Sequence, residues 1–135
     1  MEKILTFIIN NNKKILLLLG SDKDPQFHES FWYVVTGKKE KSDLTLEDTV
    51  IREVKEETNL GLEKIINLDW ILEYKSLGNK ITEHVFVSYT LDSDIILNEE
   101  SIGYKWCSLD EFIELIKWYD DKNKLKEILS KYMEA

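Results

Sequence analysis

With 135 residues, 43% apolar and 11% aromatic, the chain has the length of one ordinary domain and too much hydrophobic material to be disordered. A formal net charge of −8, from 26 acids against 18 bases, excludes the basic stripe of a protein that tracks nucleic-acid phosphates; an anion would need a cation as intermediary. Cys107 has no partner for an internal disulfide, the apolar run 15–19 is too short to span a bilayer, and no export signal is read. The expectation is a cytoplasmic monomer or homodimer that binds neither membrane nor nucleic-acid duplex.

The apolar run ILTFII at 4–9, the turn-rich NNNKK and a second run at 15–19 predict two buried strands joined by a hairpin. Polar residues 21–30, which include the only proline, Pro25, predict a loop before a β-rich strand, FWYVVT at 31–36, that Gly37 ends. Residues 38–43 lack an apolar period and predict another loop. Thr45 is placed to cap a helix over about 46–58, with Asp48 at its third position, and Asn59 to stop it in a left-handed conformation. On that helix Val50, Ile51, Val54 and Thr58 share one face, and Glu53, Glu56 and Glu57 the neighbouring one. Residues 64–75 and 80–91 predict paired strands around the turn Leu77-Gly78-Asn79. An acidic loop at 92–101, a short strand at 104–107 and helices at 109–118 and 122–133 follow. No repeat, linker or low-complexity tract divides the chain, which predicts one α+β domain over 1–135, with mixed strands layered against two or three helices.

The segment REVKEE, 52–57, carries the chemistry. Its three glutamates lie three and four positions apart on a helix, where like charges repel. Either they form a solvated face relieved by Arg52 and Lys55, or they hold a hard divalent cation, which takes oxygen ligands and offsets the repulsion. The preceding strand, Gly37 and short loop let a backbone carbonyl approach the same carboxylates.

With its context, VTGKKEKSDLTLEDTVIREVKEETNL, the segment resembles the signature box of the Nudix hydrolases, G-x5-E-x7-R-E-U-x-E-E-x-G-U, with U a bulky aliphatic. REVKEE fits letter for letter. Lys38 stands at the first Gly, Leu44 at the first Glu and Asn59 at the last Gly, so the loop's shape and one supporting acid depart from the pattern; Asp43 is next to the missing acid. FWYVVTG, and EESIGYKWCSLDEF with Glu100 six residues before Trp106, resemble segments of the dihydroneopterin triphosphate and dATP pyrophosphohydrolase branch.

The resemblance implies an α/β/α sandwich with a mixed sheet and a central catalytic helix. It implies Mg²⁺ or Mn²⁺ held by Glu53, Glu56, Glu57, Glu100 and the Gly37 carbonyl, Arg52 orienting Glu53 through a bidentate pair, and a general base that is Glu56 or Glu100. The implied substrate is a nucleoside diphosphate linked to another group, foremost a nucleoside or pterin triphosphate cleaved to monophosphate and pyrophosphate. ADP-ribose, a dinucleoside polyphosphate, or binding with little hydrolysis are the alternatives. Phe31 and Trp32 are candidates to stack on the substrate's ring and Lys39 to meet its phosphates, against plain packing for the rings and plain solvation for the lysine. Tyr104 and Trp106 read as packing residues. His28 and His84 are too scattered for a zinc site.

Overall fold

The computed structural model describes residues 1–20 and 30–133; apart from Ser30, the predicted loop 21–30, with Pro25 and His28, lies outside them. The described strands are β1 (Glu2–Asn10), β2 (Ile15–Gly20), β3 (Trp32–Tyr33), β4 (Val35–Lys38), β5 (Lys64–Ser76), β6 (Asn79–Thr90) and β7 (Ser101–Cys107), and the helices α1 (Leu46–Thr58), α2 (Leu109–Leu115) and α3 (Lys122–Met133). One mixed sheet runs β3-β2-β1-β6-β5, with β4 paired to β1 and β7 to β2. Among these pairings β1 and β6 are parallel, from Glu2 opposite Thr82 to Asn10 opposite Thr90.

β1 is central because its side chains are apolar in both directions, the pattern of a strand covered on both faces. Ile4 and Ile8 pack with Val50 and Val54 of α1. Leu5 and Phe7 pack with Phe112 of α2 and with Leu125 and Leu129 of α3. The result is the expected α+β architecture, a mixed sheet between helical layers. No described helix is long and apolar enough to cross a membrane.

Several local expectations change. β1 and β2 pair only at Ile9 and Ile15, because β1 takes β4 as its neighbour and β2 takes β3 and β7. FWYVVT is two strands: Trp32–Tyr33 pairs with β2 and Val35–Lys38 with β1, so Val34 is the step between partners and Gly37 lies inside a strand, opposite Ile4. On α1, Ile51 is half exposed and Thr49 is buried in its place. α2 stops at Leu115, since Ile116 is extended and the Lys117 N–H donates to the Trp32 carbonyl at 2.9 Å, which recruits that segment to the sheet. β7 also begins at Ser101, ahead of Tyr104, whose ring is nearly half exposed; Trp106 packs as expected and donates its Nε1–H to the Ser93 carbonyl.

The caps of α1 are as expected. Thr45 and Asp48 complete a reciprocal box, and Asn59 is left-handed, with φ 63°. The β5–β6 hairpin closes through Leu77 and Gly78, both at positive φ, 51° and 82°. A two-residue turn of this hand favours Asn-Gly, and the leucine side chain there is exposed. Leu77→Asn should raise stability by about 1 kcal/mol, read as a higher urea midpoint at unchanged slope.

Candidate functional site

The site forms where α1 crosses β4. Gly37 faces the helix, and a Cβ there would overlap Cγ and Cδ of Glu53. Absence of a side chain is therefore what lets the Glu53 carboxyl lie against the strand backbone. One turn on, Glu57 is 8% exposed, and its Oε2 is buried with no hydrogen-bond partner. Glu56, between them in sequence, is 54% exposed.

The 92–100 segment brings in a fourth acid. The Ile96 N–H donates to the Thr58 carbonyl at the end of α1, and Ile95 and Leu97 pack into the core beneath the helix. Asn98 then shapes the chain through Oδ1, which accepts the Glu100 N–H, while its Nδ2 donates to Glu100 Oε2 at 3.1 Å. Burial pushes the Glu57 carboxyl up to about 9, and the negative charges of Glu100 and Glu53 add to the shift. Glu53 is raised as well, chiefly by burial, although Arg52 pulls the other way.

Arg52 is the hub of the polar network, with a partner set that differs from the expected one. Its fork engages Asp43, Nε to Oδ1 at 3.1 Å and Nη2 to Oδ2 at 2.8 Å. Glu53 receives only Nη1, at 2.9 Å, and Nη1 also reaches Glu56 at 3.4 Å. Nη2 additionally donates to the Lys38 carbonyl at 2.9 Å. The bidentate partner is therefore Asp43 because Asp43, 5% exposed, is fixed from the other side by the Glu40 N–H and the Thr49 hydroxyl. Those hydrogen bonds, foremost from Arg52, hold its carboxyl well below the usual range. Leu44, at the position of the missing acid, is 87% exposed. Asp43→Ala should lower the melting temperature at pH 7 and cut turnover at least ~tenfold, as loss of a group that orients ligands does. Because the carboxyl is depressed in the fold, the stability it contributes is present at neutral pH and lost on acidification.

The donor set suits a hard divalent cation: every group is an oxygen, one carboxylate oxygen, Glu57 Oε2, is buried and unpaired, and a glycine opens the strand backbone to Glu53. Among the described residues no three acidic, His or Cys side chains already surround a common point. The exposed side chains of Glu56 and Glu100 would have to turn inward to join Glu53 and Glu57.

The candidate substrate residues make contacts of their own. Trp32 packs against the core on the α2–α3 side. The Phe31 ring meets Tyr33 at 6.2 Å and carries Lys117 Nζ 4.6 Å above it. Lys39 lines an open recess of about 380 Å³ with Met1, Glu2 and its loop neighbours, and its N–H donates to the Glu2 carbonyl. His84 pairs with Glu2 at 3.1 Å. The sequence reading missed Asp43 as Arg52's main partner; its one cue was an acid adjacent to the vacant position in the pattern.

The NUDIX domain family matches residues 2–128. Among solved structures, the chain superposes on the MutT protein from Methanosarcina mazei Go1 with a TM-score of 0.78 and 22% identity, covering 100% of this chain and 96% of that one. For the dihydroneopterin triphosphate pyrophosphohydrolase of E. coli the values are 0.72 and 23%, over 96% and 95% of the two chains. For a C. elegans Ap4A hydrolase binary complex they are 0.72 and 20%, over 98% and 96%. At such identities the likeness is one of fold.

Proposed function

The chain belongs to the Nudix family, and on that premise we propose that it is a metal-dependent pyrophosphohydrolase whose substrate is a nucleoside or pterin triphosphate, released as monophosphate and pyrophosphate. The observation that carries this reading is the unpaired Oε2 of Glu57, buried one turn from Glu53, whose own carboxyl lies against the strand glycine Gly37. A buried carboxylate oxygen without a partner is costly, and a cation offsets that cost as no described residue does.

Glu53 and Glu57, joined by Glu56, Glu100 and the Gly37 carbonyl, would hold Mg²⁺ or Mn²⁺. When bound, such ions neutralise the charge of a diphosphate and of its leaving group. Arg52 keeps the Glu53 carboxyl turned toward the strand, and Asp43 keeps Arg52 in place. Glu56 and Glu100 are the acids exposed enough to take a proton from an attacking water. The second reading, a module that binds nucleotide and hydrolyses it poorly, is favoured by Leu44, which leaves the box one acid short.

Purified protein with Mg²⁺ or Mn²⁺ and a panel of nucleoside triphosphates, dihydroneopterin triphosphate, ADP-ribose and dinucleoside polyphosphates tests the proposal. Pyrophosphate and a monophosphate as products, with no turnover in EDTA, are the expected result. Metal-dependent binding without turnover would establish the module instead, and products split from ADP-ribose or a dinucleoside polyphosphate alone would move the substrate class.

A further inference from the structure

The described sheet ends on a long strand with an open edge. β5 spans 13 residues and, among the described residues, pairs with β6 alone, so its outer row of backbone N–H and C=O groups has no strand beside it. Such a row is a template for another strand, and an edge is usually blunted by a bulge, a proline or charges. The irregularity of β5, between Asn67 and Trp70 with Asp69 at a φ of 52°, interrupts its middle. Beyond that point the register runs unbroken from Trp70 opposite Val85 to Ser76 opposite Asn79, and 70–76 contain no proline.

Exposed apolar side chains follow one another along this stretch. Ile71 is 51% exposed, Tyr74 39% and Leu77 81%. Leu77 also stands at a φ of 51° in a turn that favours asparagine, a choice that lowers the stability of the single chain and gains little burial there. Among them, Glu73 and Lys75 are exposed, and neither forms an ion pair with a described residue. β7, which pairs with β2 alone, differs: it has 7 residues, and its Lys105 is already joined to Glu111 at 2.8 Å.

Charge selects a register in which this edge pairs with itself. Two strands related by a two-fold axis perpendicular to the sheet run antiparallel and keep each side chain on its own face, so the axis must pass through a residue. Through Ile71, it would set Asp69 against Glu73 of the second copy; through Glu73, it would set the two Glu73 side chains against each other. Through Leu72, it would set Ile71 against Glu73 and draw the irregular residues before Trp70 into the pairing. Through Tyr74, Glu73 meets Lys75 twice, the two Tyr74 rings meet at the axis, and Ile71 stands across from Leu77. That register gives each exposed apolar side chain an apolar partner and each of these two charges an opposite one.

We propose that the outer edge of β5 docks a second copy of this chain, antiparallel about an axis through Tyr74, with Leu77 kept in its strained turn because it covers Ile71 of the other copy. The pairing is isologous, so every contact away from the axis occurs twice, and a change at one position is felt twice. It joins two sheets edge to edge and leaves both α1 helices on the same face, so the two acidic sites open to one side of the dimer. A contact confined to one strand and a turn belongs to the small, reversible class of interfaces, and a net charge of −8 on each copy keeps it from tightening further. None of this depends on the hydrolase reading.

Sedimentation velocity of the intact protein over a dilution series, without metal or substrate, tests this. The mass should rise from one 16.0 kDa chain to two as the concentration passes through the ~micromolar range. Glu73→Lys and Lys75→Glu should each weaken the dimer at least ~tenfold, because each sets like charges opposite, and the double variant that exchanges the two should restore it to within ~threefold. Leu77→Asn should weaken the dimer at least ~tenfold while raising the urea midpoint of the single chain, a split that a leucine kept for its own fold would not give. On concentrating the wild type, amide exchange should slow within 72–76. A single chain at every concentration up to ~1 mM, a dimer indifferent to the three single variants, or a charge exchange that fails to restore it overturns the proposal. Should a variant not fold, the wild-type exchange decides: a dimer that leaves 72–76 unprotected uses another face.

Discussion

Replacing Glu57 by Gln should act in opposite directions on activity and on metal-free stability. Turnover should fall at least ~hundredfold, the scale expected when an acid at the centre of the chemistry is removed. Metal-free stability should rise at neutral and alkaline pH. The sign follows from linkage: a carboxyl pushed up to about 9 in the fold from 4.5 unfolded contributes fully below 4.5 and destabilises progressively as pH climbs to about 9. Over that window the wild type should lose up to ~1.4 kcal/mol per pH unit to this group, and Glu57→Gln should flatten the slope. At pH 8 the variant should melt several degrees higher without metal, since an unsatisfied buried carboxyl costs about 1–3 kcal/mol. Adding Mg²⁺ should raise the melting temperature of the wild type and leave that of the variant unmoved. Thermal scans at pH 5 and pH 8, with EDTA or Mg²⁺, read all of this; a variant that still gains stability from Mg²⁺ would remove Glu57 from the metal site.

Gly37→Ala is the second large effect, and it should separate activity from stability. The backbone at Gly37 is not left-handed, so alanine is not excluded by φ. The obstacle is Glu53, whose Cγ and Cδ occupy the space of the new Cβ. The glutamate must leave the strand and with it the hydrogen bond from Arg52. Turnover should drop ~hundredfold or more, while the smaller unfolded-state entropy of alanine, worth ~0.4–1 kcal/mol, offsets part of the strain. In a Glu53→Ala background the overlap vanishes, and Gly37→Ala should then be neutral or slightly stabilising. That non-additivity, measured as a double-mutant cycle, is the signature of a glycine kept for the carboxylate. Additive stability losses would show instead that the site needs Gly37 for another reason.

Most of the architecture was legible in the residue pattern, because it depends on neighbours in sequence. The capping pair Thr45 and Asp48, the stop at Asn59, the Leu77-Gly78 turn and the alternation along 80–90 are local signals, and the structure keeps each of them. Spacing likewise set the glutamates of REVKEE on one side of the helix, while the choice between a solvated face and a metal site came from the resemblance of the surrounding segment.

Partner choice was not legible, since it is decided by contacts far apart in the chain. FWYVVT divides at Val34 because two different strands compete for its two halves, and α2 ends early because Trp32 offers Lys117 a carbonyl. A periodic pattern marks Glu53, Glu56 and Glu57 as equivalent. Only the sheet beneath α1 and the loop returning through Ile96 make Glu57 buried and unpaired while Glu56 stays in water. Asp43 became the anchor of Arg52 for the same reason. Helical and strand periods are written into one segment at a time, whereas desolvation of a charge is imposed by every element that closes over it.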